Sequence, residues 1–177
     1  MENVTALSAA ERNRSKELHA FAEELRGKFL TGAAWIETLL SDVIANYFCA
    51  DEQRRSLFFS DIALEISLRR KTELLMTLLK KDFPTMLTKH PRLKHQLEAL
   101  RLFRNRLAHS HIDASKPALS AATPDEVTFI YYRNGKMQRQ KVTRADAQQR
   151  AREANQLRSA LIAIQANIIP KAGNNRS

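Results

Sequence analysis

Residues 91–109 read PRLKHQLEALRLFRNRLAH. Leu93, Leu97, Leu100, Phe103 and Leu107 recur at three- and four-residue steps, the spacing that lines one face of an α-helix. Pro91 suits a first helical turn, where the missing N–H would have had no partner anyway. The stretch predicts a helix from Pro91 to about Ala108, with Arg104, Asn105, Arg106 and His109 crowded around its end.

Toward the N-terminus, Leu18, Phe21, Leu25, Phe29, Gly32, Ile36, Leu40, Val43 and Tyr47 keep the same period. They predict one long helix from about Ser8 to Phe48, with Gly27 and Gly32 marking a kink or a break. Ile62, Ile66, Leu75, Leu78 and Leu79 predict a second helix from about Phe59 to Lys81, closed by Pro84. Toward the C-terminus comes a loop with Pro117 and Pro124, and then the period changes. VTFIYYR (127–133) and KMQRQKV (136–142) flank Asn134-Gly135, the strongest short-range signal for a β-hairpin. The polar, basic second strand suits an edge protected against further pairing. Thr143 and Asp146 resemble a capping box, with Asp in the usual Glu or Gln place. The helix they open carries Ala147, Ala151, Ala154, Leu157, Leu161, Ile164 and Ile168, and Pro170 is expected to end it. Residues 1–7 and 171–177 read as frayed ends. The sum is a mainly α chain: one domain over 1–177, an up-and-down four-helix bundle with a small β-hairpin inserted before the last helix.

Composition agrees. Only 4 Gly and 5 Pro in 177 residues leave room for long helices but few tight turns. One cysteine, Cys49, rules out an internal disulfide framework and reads as a small core filler. No apolar h-region follows the first methionine and no run reaches a membrane span, so the reading is cytoplasmic, with no membrane partner. The net charge of +10 attracts polyanions, nucleic acid first among them. A merely solvated basic surface accounts for the same number.

The third helix ends in Arg104-Asn105-x-x-Ala108-His109. This resembles the signature of the HEPN family: an Arg, a polar residue, a short spacer and a His on a late helix of a compact bundle. GAAWIETLLSDVI (32–44), with Glu37, looks like that family's first core helix. ISLRRKTELLMTLL (66–79), with Lys71, looks like the helix before the motif. The resemblance spans Phe29 to His109. It implies a metal-independent endoribonuclease that needs no cofactor and works as a homodimer, of the kind used as toxins or antiviral-defence effectors. An antitoxin or other protein partner is then expected. It also implies the roles: His109 as acid and base, Arg104 on the phosphate, Asn105 orienting His109 or touching the scissile phosphate.

The chemistry of these groups fits RNA, which carries its own nucleophile in the 2′-hydroxyl. Imidazole, with an unperturbed pKa of about 6.5, moves protons near neutrality. Guanidinium stays charged and matches phosphate oxygens. At about 100° per residue, Arg104 falls within the apolar arc of its helix, which points to a packed surface. His109 lies about 140° around from it. Either the helix bends near Ala108, or two chains pool their residues. The resemblance implies the second, through a twofold axis.

Further RNA-binding candidates are Arg106, His111, Lys136, Arg139 and Lys141, with Tyr131 or its neighbour Tyr132 to stack on a base. The same residues fit a solvated face and a protected edge strand. His109-x-His111-x-Asp113 spells a metal-binding pattern, but no further His follows, so no metal is expected. Two rival functions stay open. One is a silent HEPN-like module that binds RNA or protein. The other is a helical transcriptional regulator resembling the mannitol operon repressor group.

Overall fold

The structure is a computed structural model that describes residues 8–121, 123 and 125–174. Of the expected frayed ends 1–7 and 171–177, residues 1–7 and 175–177 lie outside the described residues, as does Pro124 of the expected loop, whereas 171–174 are helical. The chain is mainly helical, with a small antiparallel sheet. Its helices are α1 (Ala9–Phe48), α2 (Glu52–Phe58), α3 (Leu68–Asp82), α4 (Pro84–Lys89), α5 (Leu93–Ala108), α6 (Lys116–Ala121) and α7 (Arg144–Asn174). Its strands are β1 (His111–Ile112), β2 (Glu126–Arg133) and β3 (Lys136–Thr143), in the order β1-β2-β3.

Helix α1 runs unbroken through Gly27 and Gly32, so the alternative of a break does not occur. The apolar face outweighs the modest intrinsic cost of two glycines. Ser8 and Glu11 open it with a reciprocal cap. The Ser8 N–H donates to Glu11 Oε2 at 2.6 Å, and the Glu11 N–H to Ser8 Oγ at 3.2 Å. Cys49 lies one residue past its end, half-buried, not in the core.

The second expected helix, from about Phe59 to Lys81, is interrupted: a π-helical turn at Phe59–Ala63 continues α2, and a non-helical stretch over 64–67 separates it from α3. The physical reason is capping. Asp51 accepts from the Arg54 N–H and starts α2; Ser67, in an extended conformation, accepts from the Arg70 N–H and starts α3. Ile62, assigned to the apolar face, is accordingly exposed. Pro84 opens α4 instead of only closing α3, and α5 begins two residues after Pro91. The last helix continues past Pro170 to Asn174. A proline there removes one intrahelical hydrogen bond but leaves the neighbouring turns their own.

The Asn134-Gly135 hairpin forms as expected, with positive φ at both residues (51° and 70°). The sheet is larger than a hairpin, because His111 and Ile112 add β1 on the other side of β2. β1 and β3 are its two edge strands. Thr143 and Asp146 cap α7 reciprocally: the Thr143 N–H donates to Asp146 Oδ2 (2.9 Å) and the Asp146 N–H to Thr143 Oγ1 (3.1 Å).

The chain divides into two compact units. The first comprises residues 1–30 and 104–150. Its core is Leu18, Phe21, Ala22, Leu25, Phe29, Leu107, Leu119, Val127, Phe129 and Val142. The second comprises residues 31–103 and 151–177. Ile36, Leu40, Ile44, Leu75, Leu79, Leu93, Leu97, Leu157, Leu161, Ile164 and Ile168 are fully buried there. On α7, Leu157 and its C-terminal partners are buried as the period predicts, but Ala151 is exposed. Within this second unit Lys71, only 1% exposed, pairs with Glu37 at 3.4 Å. Among the described residues, no helix is long and apolar enough to cross a membrane.

Candidate functional site

The motif lies in the first unit, at the C-terminal end of α5. Arg104 and His109 are exposed and Asn105 is half-buried. Asn105 sits between the other two in its bonding. Its Oδ1 accepts from Arg104 Nη1 at 3.1 Å, and its carbonyl accepts from the His109 N–H at 3.1 Å. His109 is thus held by the last turn of backbone bonding although it lies one residue past the helix. Arg104, expected against a packed surface because of its angular position, is exposed in the single chain.

The next residue explains how the motif is fixed. Ser110 is buried, and its Oγ donates to the Leu107 carbonyl at 3.3 Å. Arg26 of α1 donates through Nη2 to the Ser110 carbonyl (2.5 Å) and to Ser110 Oγ (3.2 Å). The same guanidinium lies over the Phe129 ring, 5.1 Å from its centroid. Its Nε is buried and makes no hydrogen bond among the described residues. Arg26 therefore ties together α1, the end of α5 and the middle of β2, with His109 one residue from the knot. The sequence gives no clear signal for it: Arg26 lies beside, not within, the apolar stripe of α1.

The sheet separates the other candidates. Successive residues of a strand face opposite sides, and directly opposed residues share a side. Val127, Phe129 and Val142 are buried, which defines the inner face. Tyr131 lies on that face, covered by Arg106 at 5.7 Å, and Arg106 also donates to Gln140 Oε1 at 3.3 Å. These two candidates come together, but as a packing pair. Lys136, opposite Arg133, is exposed at the hairpin end.

The outer face carries His111, Ile130 and Arg139 in one row across the three strands. Thr128 and Lys141 occupy the row on one side, Tyr132 and Met137 the row on the other. Lys141 pairs with Glu126 at 2.6 Å, and Arg139 Nε donates to Asp113 Oδ2 at 2.9 Å. Asp113 is only 6% exposed. It also accepts from the Ser115 hydroxyl (2.7 Å) and N–H (3.2 Å), while its own N–H donates to the Thr128 carbonyl at 2.8 Å. The Ser115 hydrogen bond and then the Arg139 guanidinium hold this carboxyl below the usual carboxylate range, against the opposing effect of burial. Asp113 is thus a brace within the sheet. Among the described residues, no three His, Cys, Asp or Glu side chains gather as a metal site.

No protein-family model, curated protein or solved structure matches this chain.

Proposed function

We propose that this chain is a metal-independent endoribonuclease of HEPN type, acting as a symmetric homodimer. One observation carries the reading: near the exposed end of α5 the Arg104 guanidinium donates to the Asn105 side chain, and the His109 N–H closes the last helical turn on the Asn105 carbonyl. Behind the motif, Arg26 is bonded to Ser110, the residue after His109. That clamp fixes the backbone beside His109, and proton transfer requires a group held within hydrogen-bond reach of its target.

The reaction follows from the groups present. One imidazole removes the proton of an RNA 2′-hydroxyl. The 2′-oxygen attacks the adjacent phosphorus, and the bond to the 5′-oxygen breaks. A second imidazole protonates that leaving oxygen. The products are a 2′,3′-cyclic phosphate and a 5′-hydroxyl. Arg104 stabilises the extra negative charge on the phosphorane. A single chain offers one His109, and about 140° of helix separates it from Arg104. A twofold partner supplies the second imidazole and brings an Arg104 to its opposite side. Acting as a toxin or defence effector, with an antitoxin as partner, belongs to the same proposal.

The test is direct. Purified full-length chain is incubated with RNA in EDTA. Fragments ending in a 2′,3′-cyclic phosphate are expected, with a rate that falls about 10²- to 10⁴-fold in His109→Ala and comparably in Arg104→Ala. A substrate with the 2′-hydroxyl removed at the cleavage position stays whole. Intact RNA with a shifted band would leave the binding module instead. Preference for a defined DNA duplex, indifferent to His109→Ala, would point to the regulator.

A further inference from the structure

The outer face of the sheet carries features that the packing of the chain does not use. Tyr132 is 70% exposed, and Met137 directly opposite it is also exposed. An aromatic ring left in water on a sheet is a platform for a flat partner. Two residues along β2, and across in β3, lies Arg139. Its Nε is engaged by the buried Asp113 carboxylate, while the side chain as a whole is 57% exposed. Among the described residues its two terminal amino groups make no hydrogen bond. A guanidinium gripped from behind through Nε presents those groups outward as a fixed fork, the geometry that matches phosphate oxygens. His111 completes the row and lies two residues from His109. Of the basic residues between Val127 and Val142, Arg139 and Lys141 lie on this face, Lys141 paired with Glu126, while Arg133 and Lys136 take inner-face positions at the hairpin end. The complement of an exposed ring beside an outward guanidinium fork is a phosphate-bearing chain that also carries flat rings.

We propose that a single strand of RNA crosses this outer face, with a base stacked on Tyr132 and a phosphate held by the Nη groups of Arg139, and passes His111 toward His109. The proposal rests on the ribonuclease reading for its direction but not for its existence, because binding is measurable without cleavage. It names Tyr132, and not Tyr131, as the stacking aromatic: Tyr131 faces inward beneath Arg106. A duplex cannot use the platform, since its bases are already stacked on one another and their faces are closed off.

The experiment uses the full-length chain bearing His109→Ala, so that substrate survives, and a fluorescein-labelled 12-nucleotide oligouridylate read by anisotropy. Tyr132→Ala should weaken binding between about fivefold and a hundredfold, the span for one stacked base, and Tyr132→Trp should restore it. Arg139→Gln should lower the slope of log affinity against log salt by about 0.7, one phosphate contact on a single strand. Tyr132→Ala should leave that slope unchanged. Thermal melts identify any variant that has merely unfolded, and Tyr132→Trp keeps the test decisive there. Binding unchanged in both Tyr132→Ala and Arg139→Gln overturns the proposal. So does a self-association lost in Tyr132→Ala with RNA affinity intact, which would make the face a protein contact. The two readings separate cleanly. Tyr132-dependent binding by a chain that never cuts RNA sinks the ribonuclease and keeps the platform; cleavage with Tyr132-independent binding does the reverse.

Discussion

Replacing Arg26 by methionine tests whether the motif is held from behind. Methionine keeps a flexible apolar stem for Phe129 but removes the donors to the Ser110 carbonyl and hydroxyl. Hydrogen bonds from a charged group contribute about 1.5–3 kcal/mol, and the charge over the ring adds about 0.5–1 kcal/mol. Because methionine retains part of the packing, a net loss of about 2–3 kcal/mol is expected. For a chain of this size, each kcal/mol moves Tm by about 2–4 °C, so the variant should melt about 5–10 °C lower by circular dichroism. RNA cleavage is then measured at 20 °C, where both proteins remain folded. If the clamp positions His109, the rate falls well beyond any loss of folded protein, and Ser110→Ala, which keeps the carbonyl acceptor, falls less. A melting curve that overlays the parent would refute the claim that Arg26 bears the knot. A lowered Tm with an unchanged rate would show that Arg26 braces the sheet without positioning His109.

In the second unit, Glu37→Ala strands the buried Lys71 ammonium and should cost about 3–5 kcal/mol in urea unfolding, whereas the paired change Glu37→Leu with Lys71→Met should be neutral or stabilising. A mild Glu37→Ala would mean that Lys71 finds water or another partner. Asp113 supplies a pH signature. Its folded-state pKa is depressed, so its stabilisation is fully present above the ordinary carboxylate range and is lost as pH falls through the lowered value. Asp113→Asn should flatten the acid side of a Tm-against-pH curve, and an unchanged acid slope would rule the group out. Gly135→Val should destabilise the hairpin by about 1 kcal/mol or more, because φ is 70° there and a β-branched residue resists it. Loss of Tyr132-dependent oligouridylate binding in that variant would follow, and a wild-type melt would contradict the strain argument.

Period and punctuation made much of the fold legible. Leu93, Leu97, Leu100, Phe103 and Leu107 are all buried as their spacing predicts, and Asn134-Gly135 turns the hairpin. What the sequence concealed is mostly short-range. The break before α3 depends on Ser67 choosing an extended conformation, a local competition that an apolar count does not register. The Ser8-Glu11 cap was visible as S-x-x-E but is easily passed over beside a strong period. β1 escaped because two residues carry no alternation; His111 and Ile112 become a strand only when β2 offers its free edge. The motif itself was legible by residue type, but its support was not. Arg26 is 84 residues from Ser110, a distance no local pattern bridges.

The charge of +10 also has to be reread through the fold. In the first unit Arg26, Arg106 and Arg144 lie over Phe129, Tyr131 and Phe21, and Arg144 further meets Asp125 and Glu24. Lys141 is matched by Glu126. These cations work as packing and pairing groups, so the polyanion argument from composition overcounts what a nucleic acid would meet. Arg139 differs because Asp113 takes one side of its guanidinium and leaves the other toward solvent. Arg133 and Lys136, exposed at the hairpin end, have no acidic residue beside them in either strand between Val127 and Val142. A partner drawn by net charge alone would bind diffusely and lose affinity steeply with salt. A partner that requires Tyr132 and Arg139 together would retain specific binding after salt has removed the diffuse part. Measuring oligouridylate affinity at low and high salt with Tyr132→Ala in parallel therefore separates a basic surface from a binding site. Persistence of the Tyr132 effect at high salt is the outcome expected of a site.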